Sequence, residues 1–226
     1  MGEHLLAVGF DLDYTLWDQS PFAGSFFDAI AGELAGRLGC PEPQVAAAFH
    51  GAMGQLTLRH PQLFDAALRR LGAWDAALVA ELVDRYHRHR PSALAYPGAE
   101  ETLWHLAGRG YLLFLVTDGF SGTQRHKVEA LGISPCFHHM IFTGDLPPEA
   151  RKPSPIPFQL ACAHLGVAPA RSAYVADNPL CDFAGPRQLG MLTIGVSTGP
   201  FAALAVPAEQ GPHLRIGTVQ DLQGLL

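Results

Sequence analysis

The sequence predicts an α/β fold: a parallel sheet core with helices on both faces and an inserted all-helical cap domain. Three observations predict it. Short continuous apolar runs recur along the chain, as in strands buried on both faces. Helical patterns lie between them, and that alternation points to parallel strands joined by crossover helices. One stretch, Pro21 to Arg90, replaces the alternation with consecutive helices.

The first run, Leu5 to Phe10 (LLAVGF), ends at Asp11-Leu12-Asp13. Similar runs are Tyr111 to Val116, Met140 to Phe142, Ser172 to Ala176 and Leu192 to Val196. The intervening helices are expected over Gly98 to Ala107, Gly122 to Leu131, Pro157 to Leu165 and Phe183 to Leu189. Sheets of this kind carry their sites beyond the carboxyl ends of the strands. The helical block reads as Phe22 to Leu38, Glu42 to Leu58, Pro61 to Leu71 and Trp74 to His89, with Gly39, Gly72 and Pro91 punctuating the ends. A block inserted after the first strand is naturally a lid. Its expected bounds are residues 18–94, leaving residues 1–17 and 95–226 as the core. Packing is the expected reason for Gly32, Gly36 and Gly39, and no phosphate-cradling P-loop is present.

Bulk properties narrow the function. The chain has 226 residues, 48% hydrophobic and 16% charged, which suits one folded core plus an appended subdomain and argues against disorder. A formal net charge of -6 argues against a broad nucleic-acid surface. No apolar run approaches the roughly 20 residues of a membrane helix. The run at Leu5 is too short for a signal segment and leads straight into acidic residues. Cys40, Cys136, Cys162 and Cys181 are scattered without a C-x-x-C pair, as expected of buried thiols in a reducing cytoplasm. Of 15 basic residues only Lys127 and Lys152 are lysine, so both merit scrutiny.

Four clusters fall just after expected strands or before a helix. They are Asp11 to Thr15 (DLDYT), Thr117-Asp118-Gly119, Lys152-Pro153, and Asp177 to Asp182 (DNPLCD). Carboxylates about 5 Å apart repel by roughly 3 kcal/mol per pair at an effective dielectric near 20. Several at one strand-end crevice therefore call for a divalent cation or bound protons. An oxygen-only set suits Mg²⁺. A hydroxyl at Thr117, backbone N–H groups at the Gly119 turn and the compact charge of Lys152 could hold a phosphate. That inventory suits phosphoryl transfer, which works by positioning and charge stabilisation.

In order and spacing these clusters resemble those of the haloacid dehalogenase superfamily, in its phosphatase branch with a helical cap, across Leu5 to Val196. The resemblance implies a Rossmann-like core and the following roles. Asp11 is the nucleophile that forms an aspartyl-phosphate. Asp13 protonates the leaving oxygen, then activates water, and its backbone carbonyl touches the metal. Thr15 shapes the loop. Thr117 and Lys152 hold phosphoryl oxygens, with Asp118 and Gly119 in the phosphate-binding turn. Mg²⁺ is held by Asp11, Asp13 and Asp177, with Asp182 as a ligand or its support. A carboxylate at position 13 separates the chain from dehalogenases and phosphonatases, and Tyr14-Thr15 from mutases, which usually continue with Gly-Val. Two positions depart from the pattern: Asp118 stands where a neutral residue is usual, and Ala176 where Gly is usual.

The implied function is a cytoplasmic phosphatase for a small phosphorylated metabolite, with no nucleic-acid or membrane partner and an open oligomeric state. Two rivals stand beside it: a weakly active binding or regulatory module whose turnover Asp118 impairs, and a phosphotransferase or mutase using the same nucleophile. Other features read as structural. His87 and His89 suit a solvated face, His138-His139 suit strand packing, and Phe22, Phe26 and Phe27 suit the cap core. Arg59, His60, Arg69 and Arg70 read as a solvated helix face, with contact to an anionic substrate as the alternative.

Overall fold

The computed structural model describes residues 4–55, 62–90 and 95–226. The chain divides into two compact units, Met1–Asp18 with Ala93–Leu226, and Gln19–Ser92.

The first unit is built on strands β1 (Ala7–Phe10), β2 (Leu112–Thr117), β3 (His139–Phe142), β4 (Ser172–Ala176), β5 (Leu192–Val196) and β6 (Leu214–Ile216). They form one sheet in the order β3-β2-β1-β4-β5-β6, with every neighbouring pair parallel. β1 and β4 are buried along their whole length, which is why they read as unbroken apolar runs. The order reverses beside β1, which pairs with both β2 and β4. That switch point fixes the site. Phe10 sits opposite Leu115 and Val175, so Asp11, Thr117 and Asp177 emerge at the same edge.

The sixth strand has no counterpart in the sequence reading. β6 is a three-residue edge strand with two exposed residues, Leu214 and Arg215, and so lacks an apolar run. The other strands match the expected runs to within two residues.

The second unit contains helices α1 (Ser20–Leu38), α2 (Glu42–Gln55), α3 (Leu63–Arg70) and α4 (Ala76–Arg88). Ala23, Phe26, Phe27, Ile30, Ala31 and Leu34 recur at helical spacing on α1, and they pack with Phe49, Phe64 and Leu82. Burying each large side chain contributes roughly 1.5–3 kcal/mol. The polar faces carry Arg37–Glu81 and Arg85–Glu33 pairs, whose exposure limits each to about 1 kcal/mol or less. The expected helix limits at Leu58 and Pro61, together with Arg59 and His60, lie outside the described residues.

Helices α5 (Ala99–Gly108), α6 (Ser121–Leu131), α7 (Ile156–Leu165), α8 (Ala184–Gln188) and α9 (Leu222–Leu225) complete the first unit.

Several structural expectations need correction. Gly39 has φ +66° and closes α1, whereas a Cβ at Gly36 would meet nothing within 4 Å, so packing does not account for it. His89 is not on a solvated face: its ring lies 5.2 Å from Phe22 and 5.4 Å from Phe26, and Nε2 is 3.0 Å from Ser25 Oγ. Cys136 and Cys162 are buried, but Cys40 and Cys181 are only half-buried; all four are free thiols. His138 accepts from the Leu113 N–H, and His139 stacks on His164 at 3.8 Å, both structural contacts. No helix among the described residues is long and apolar enough to cross a membrane.

Candidate active site

Asp11 is the first residue beyond β1, its N–H bonded to the Val175 carbonyl of the neighbouring strand. It is buried, and Lys152 Nζ donates to its Oδ1 at 2.6 Å. The same ammonium donates to Asp182 Oδ1 at 2.8 Å and to the Tyr174 hydroxyl at 3.0 Å. Tyr174 in turn donates to the Val116 carbonyl at 2.9 Å, tying the lysine to β2 and β4. Burial alone disfavours the charged form of Lys152. The charges of Asp11 and Asp182, helped by Tyr174 and Asp118, outweigh burial and hold the ammonium well above the ordinary lysine value. Tyr174 is pushed above its ordinary value chiefly by burial, with Lys152 opposing.

Asp177 follows β4, and the loop after it folds back so that Asp182 Oδ2 accepts from the Asn178 N–H at 3.1 Å. One oxygen each from Asp11, Asp177 and Asp182 lies within 4.8 Å of the others, and all three residues are buried. This donor set is oxygen-only and carries more negative charge than one lysine cancels, which suits a hard divalent cation.

The Asp13 carboxylate is not a member of that group. It is turned toward α6 and the end of its own loop. Trp17 Nε1 donates to Oδ1 at 2.9 Å, Gln124 Nε2 to Oδ2 at 3.0 Å, and Lys127 Nζ to the two oxygens at 2.8 and 2.9 Å. The Asp13 side chain is thus not placed to hold a metal with that group, and its backbone carbonyl is the atom of residue 13 that could do so. Gln124 also donates to Thr117 Oγ1 at 2.7 Å, linking the second cluster to the first. Asp118 Oδ1 accepts from the Thr143 hydroxyl at 2.5 Å. Thr15 is fully buried, and its N–H bonds to the Leu12 carbonyl at 3.3 Å, so it shapes the loop through its backbone.

Two glycines let the loops meet. A Cβ at Gly144 would lie 2.3 Å from the Gly119 carbonyl oxygen and 2.9 Å from the Ser121 nitrogen. A Cβ at Gly185 would lie within 2.8 Å of the Pro153 and Ser154 carbonyl oxygens, beside the segment that carries Lys152.

The structure thus gathers Asp11, Lys152, Asp177 and Asp182 at one strand edge, and groups Asp13 and Thr117 through Gln124. Roles for Trp17, Gln124, Lys127 and Tyr174 escaped the sequence reading. The scarcity of lysine was a signal for Lys127, and the three-residue spacing from Gln124 puts both on one helix face. In the second unit Arg69 lies over the Trp74 ring at 4.5 Å, and Arg70 donates to the Ala48 carbonyl at 3.4 Å.

A parallel sheet with buried acids and the buried lysines Lys127 and Lys152 at its switch point is an α/β arrangement suited to phosphoryl transfer. Comparison with known proteins makes this specific. The family model described as haloacid dehalogenase-like hydrolase matches residues 5–190, and the chain belongs to that family of hydrolases. It is 32% identical to the glyceraldehyde 3-phosphate phosphatase of Methanopyrus kandleri, over 86% of this chain and 85% of the relative. It is 30% identical to the phosphoglycolate phosphatase of Neisseria meningitidis, over 97% and 93% respectively. Among solved structures, a HAD phosphatase from Thermococcus onnurineus superposes with TM-score 0.65 at 22% identity, covering 98% of this chain and 97% of that one. A 2-haloacid dehalogenase from Pseudomonas syringae does so with TM-score 0.65 at 25% identity and the same coverage.

Proposed function

We propose that the protein is a Mg²⁺-dependent phosphatase that hydrolyses a small phosphorylated metabolite through an aspartyl-phosphate on Asp11. One observation carries the reading: the buried Asp11 carboxylate is held by Lys152 beside Asp177 and Asp182. Relatives named as phosphatases of glyceraldehyde 3-phosphate, phosphoserine and phosphoglycolate support the substrate class.

In this reading Asp11 attacks phosphorus while the leaving oxygen takes a proton from Asp13. Water then gives a proton back to Asp13 and attacks the aspartyl-phosphate, releasing inorganic phosphate and restoring Asp11. Lys152 and Thr117 hold phosphoryl oxygens, with N–H groups of the Asp118-Gly119 turn. Asp11 and Asp177, the Asp13 carbonyl and Asp182 would hold Mg²⁺, which when bound offsets the charge of acids and phosphate together. We assign leaving-group selection to a cap of residues 18–94. The four free thiols suit a reducing compartment, and we assign the protein to the cytoplasm.

Release of phosphate from 4-nitrophenyl phosphate and a panel of metabolite phosphates tests the proposal. Turnover should require Mg²⁺ and vanish in Asp11→Asn while the fold persists. A folded wild type with no release across the panel, or an Asp11→Asn variant of undiminished rate, overturns it.

A further inference from the structure

We propose that Lys127 is a positioning residue for the acid–base carboxylate Asp13; this rests on the phosphatase reading above. An ionised carboxylate offers about four lone-pair sites. At Asp13 both oxygens are met by protein donors: Trp17 and Lys127 on Oδ1, Gln124 and Lys127 on Oδ2. Lys127 bonds both oxygens, and both partners are buried, the side chains being 5% and 2% exposed. Its Nζ also stands 5.5 Å from the centre of the Trp17 ring, the ring whose Nε1 binds the same carboxylate.

The geometry fixes Asp13 in both position and orientation. A carboxylate bonded through both oxygens to one ammonium cannot rotate about its Cβ–Cγ bond without losing a contact to charge. Trp17 is anchored by its bridge to Asp13 and by accepting from the Tyr14 N–H at 2.8 Å. Gln124 is anchored by Thr117. Lys127, on a flexible stem with three donors, is the partner that can release one Asp13 oxygen, which then carries the proton passed to the leaving oxygen or taken from water, while it keeps hold of the other. Its effect passes through Asp13 and not through the phosphate, which Lys152 and Thr117 hold.

The test compares wild type, Lys127→Met, Asp13→Asn and the double variant, using 4-nitrophenyl phosphate and phosphoglycolate with Mg²⁺. The nitrophenolate departs without needing a proton; the alkoxide of glycolate needs one. Lys127→Met should lower kcat on phosphoglycolate by at least about tenfold, a fraction of the roughly 10²–10⁴-fold that acid–base catalysis contributes, with KM changed less than about twofold. The loss on 4-nitrophenyl phosphate should be at least about threefold smaller. In the Asp13→Asn background the same change should cost less than about twofold, because coupled residues are not additive. If Lys127→Met does not fold, Lys127→Gln carries the same cycle. Equal losses on the two esters, independent losses in the double variant, or a rise in KM that matches the loss overturns the proposal. If the wild type is active and any of those holds, only the role of Lys127 falls. A wild type releasing phosphate from neither ester overturns the phosphatase reading and this proposal with it.

Discussion

Replacing Lys152 by methionine probes the charge balance on which the site depends. At an effective dielectric near 20, carboxylate oxygens 4.8 Å apart repel by about 3.5 kcal/mol per pair, or about 10 kcal/mol for Asp11, Asp177 and Asp182 together. Lys152, at 2.6 Å from Asp11 and 2.8 Å from Asp182, returns about 12 kcal/mol of attraction. The two nearly cancel before desolvation, which costs several kcal/mol per buried ion. Methionine fills similar volume but leaves the acids uncompensated. Breaking a buried pair this way costs about 3–5 kcal/mol, and at 2–4 °C per kcal/mol the melting temperature should fall by about 6–20 °C.

The raised pKa of Lys152 sets the pH dependence of that deficit. A folded-state value above the unfolded one gives stability that is fully present below about 10.4 and is lost as pH rises through the folded value. The difference between wild type and variant should therefore stay flat from about pH 6 to 9, as far as Lys152 sets it. Mg²⁺ should raise the melting temperature of the variant more than that of the wild type, since a cation then supplies compensating charge that the lysine no longer does; binding at about 100 times Kd adds about 2.7 kcal/mol. Scanning calorimetry with chelator and with Mg²⁺ reads all three. A variant that melts within about 2 °C of wild type in chelator would refute the charge argument.

Three further outcomes are expected. Asp118→Asn should keep kcat within about threefold of wild type, because Thr143 already binds the Asp118 carboxylate and Lys152 offsets its charge; a rise well beyond that would favour a module impaired by Asp118. Gly144→Ala should destabilise the protein by about 1–3 kcal/mol, the usual cost of overpacking, and should raise KM, since the new methyl strikes the Gly119 carbonyl in the turn proposed to bind phosphate. Chemical denaturation and steady-state kinetics check both effects. Gly185→Ala should lower kcat at least about tenfold by displacing the segment beside Lys152; a rate unchanged with a normal melt would show that the loop absorbs the methyl elsewhere.

Legibility in the sequence followed the kind of signal each element leaves. Strands β1, β2, β4 and β5 were readable because they are buried on both faces and so are written as apolar runs; β6, with two exposed residues, leaves no such run. The placement of Asp11, Thr117 and Asp177 was readable because each stands at or just past the end of a strand, and register brings those ends to one edge. Lys152 and Asp182, which lie in loops, were read from the resemblance of their motifs. The Asp13 contacts were not. Which way a side chain turns from a loop depends on partners 111 and 114 residues away, and nothing local to DLDYT names Gln124 or Lys127. Ring packing at His89 is hidden for the same reason: its partners Phe22 and Phe26 belong to another helix.

The two lysines resolve into a single electrostatic logic. Each aspartate of the DxD pair has its own buried ammonium: Lys152 on Asp11, Lys127 on Asp13. Elsewhere the chain uses arginine, and the arginine pairs at Glu33, Glu81, Asp84 and Asp145 are all solvent-exposed. A guanidinium presents a rigid fork suited to one carboxylate face-on, whereas Lys152 must reach Asp11, Asp182 and Tyr174 from one point. Only a compact, tetrahedral donor fits three oxygen partners that surround it. The carboxylates differ in their surroundings in the same way. Asp11 shares its lysine with Asp182 and stands in a group that still carries excess negative charge, a set suited to a hard divalent cation. Asp13, bonded through both oxygens to Lys127 and also to Trp17 and Gln124, is kept outside that group.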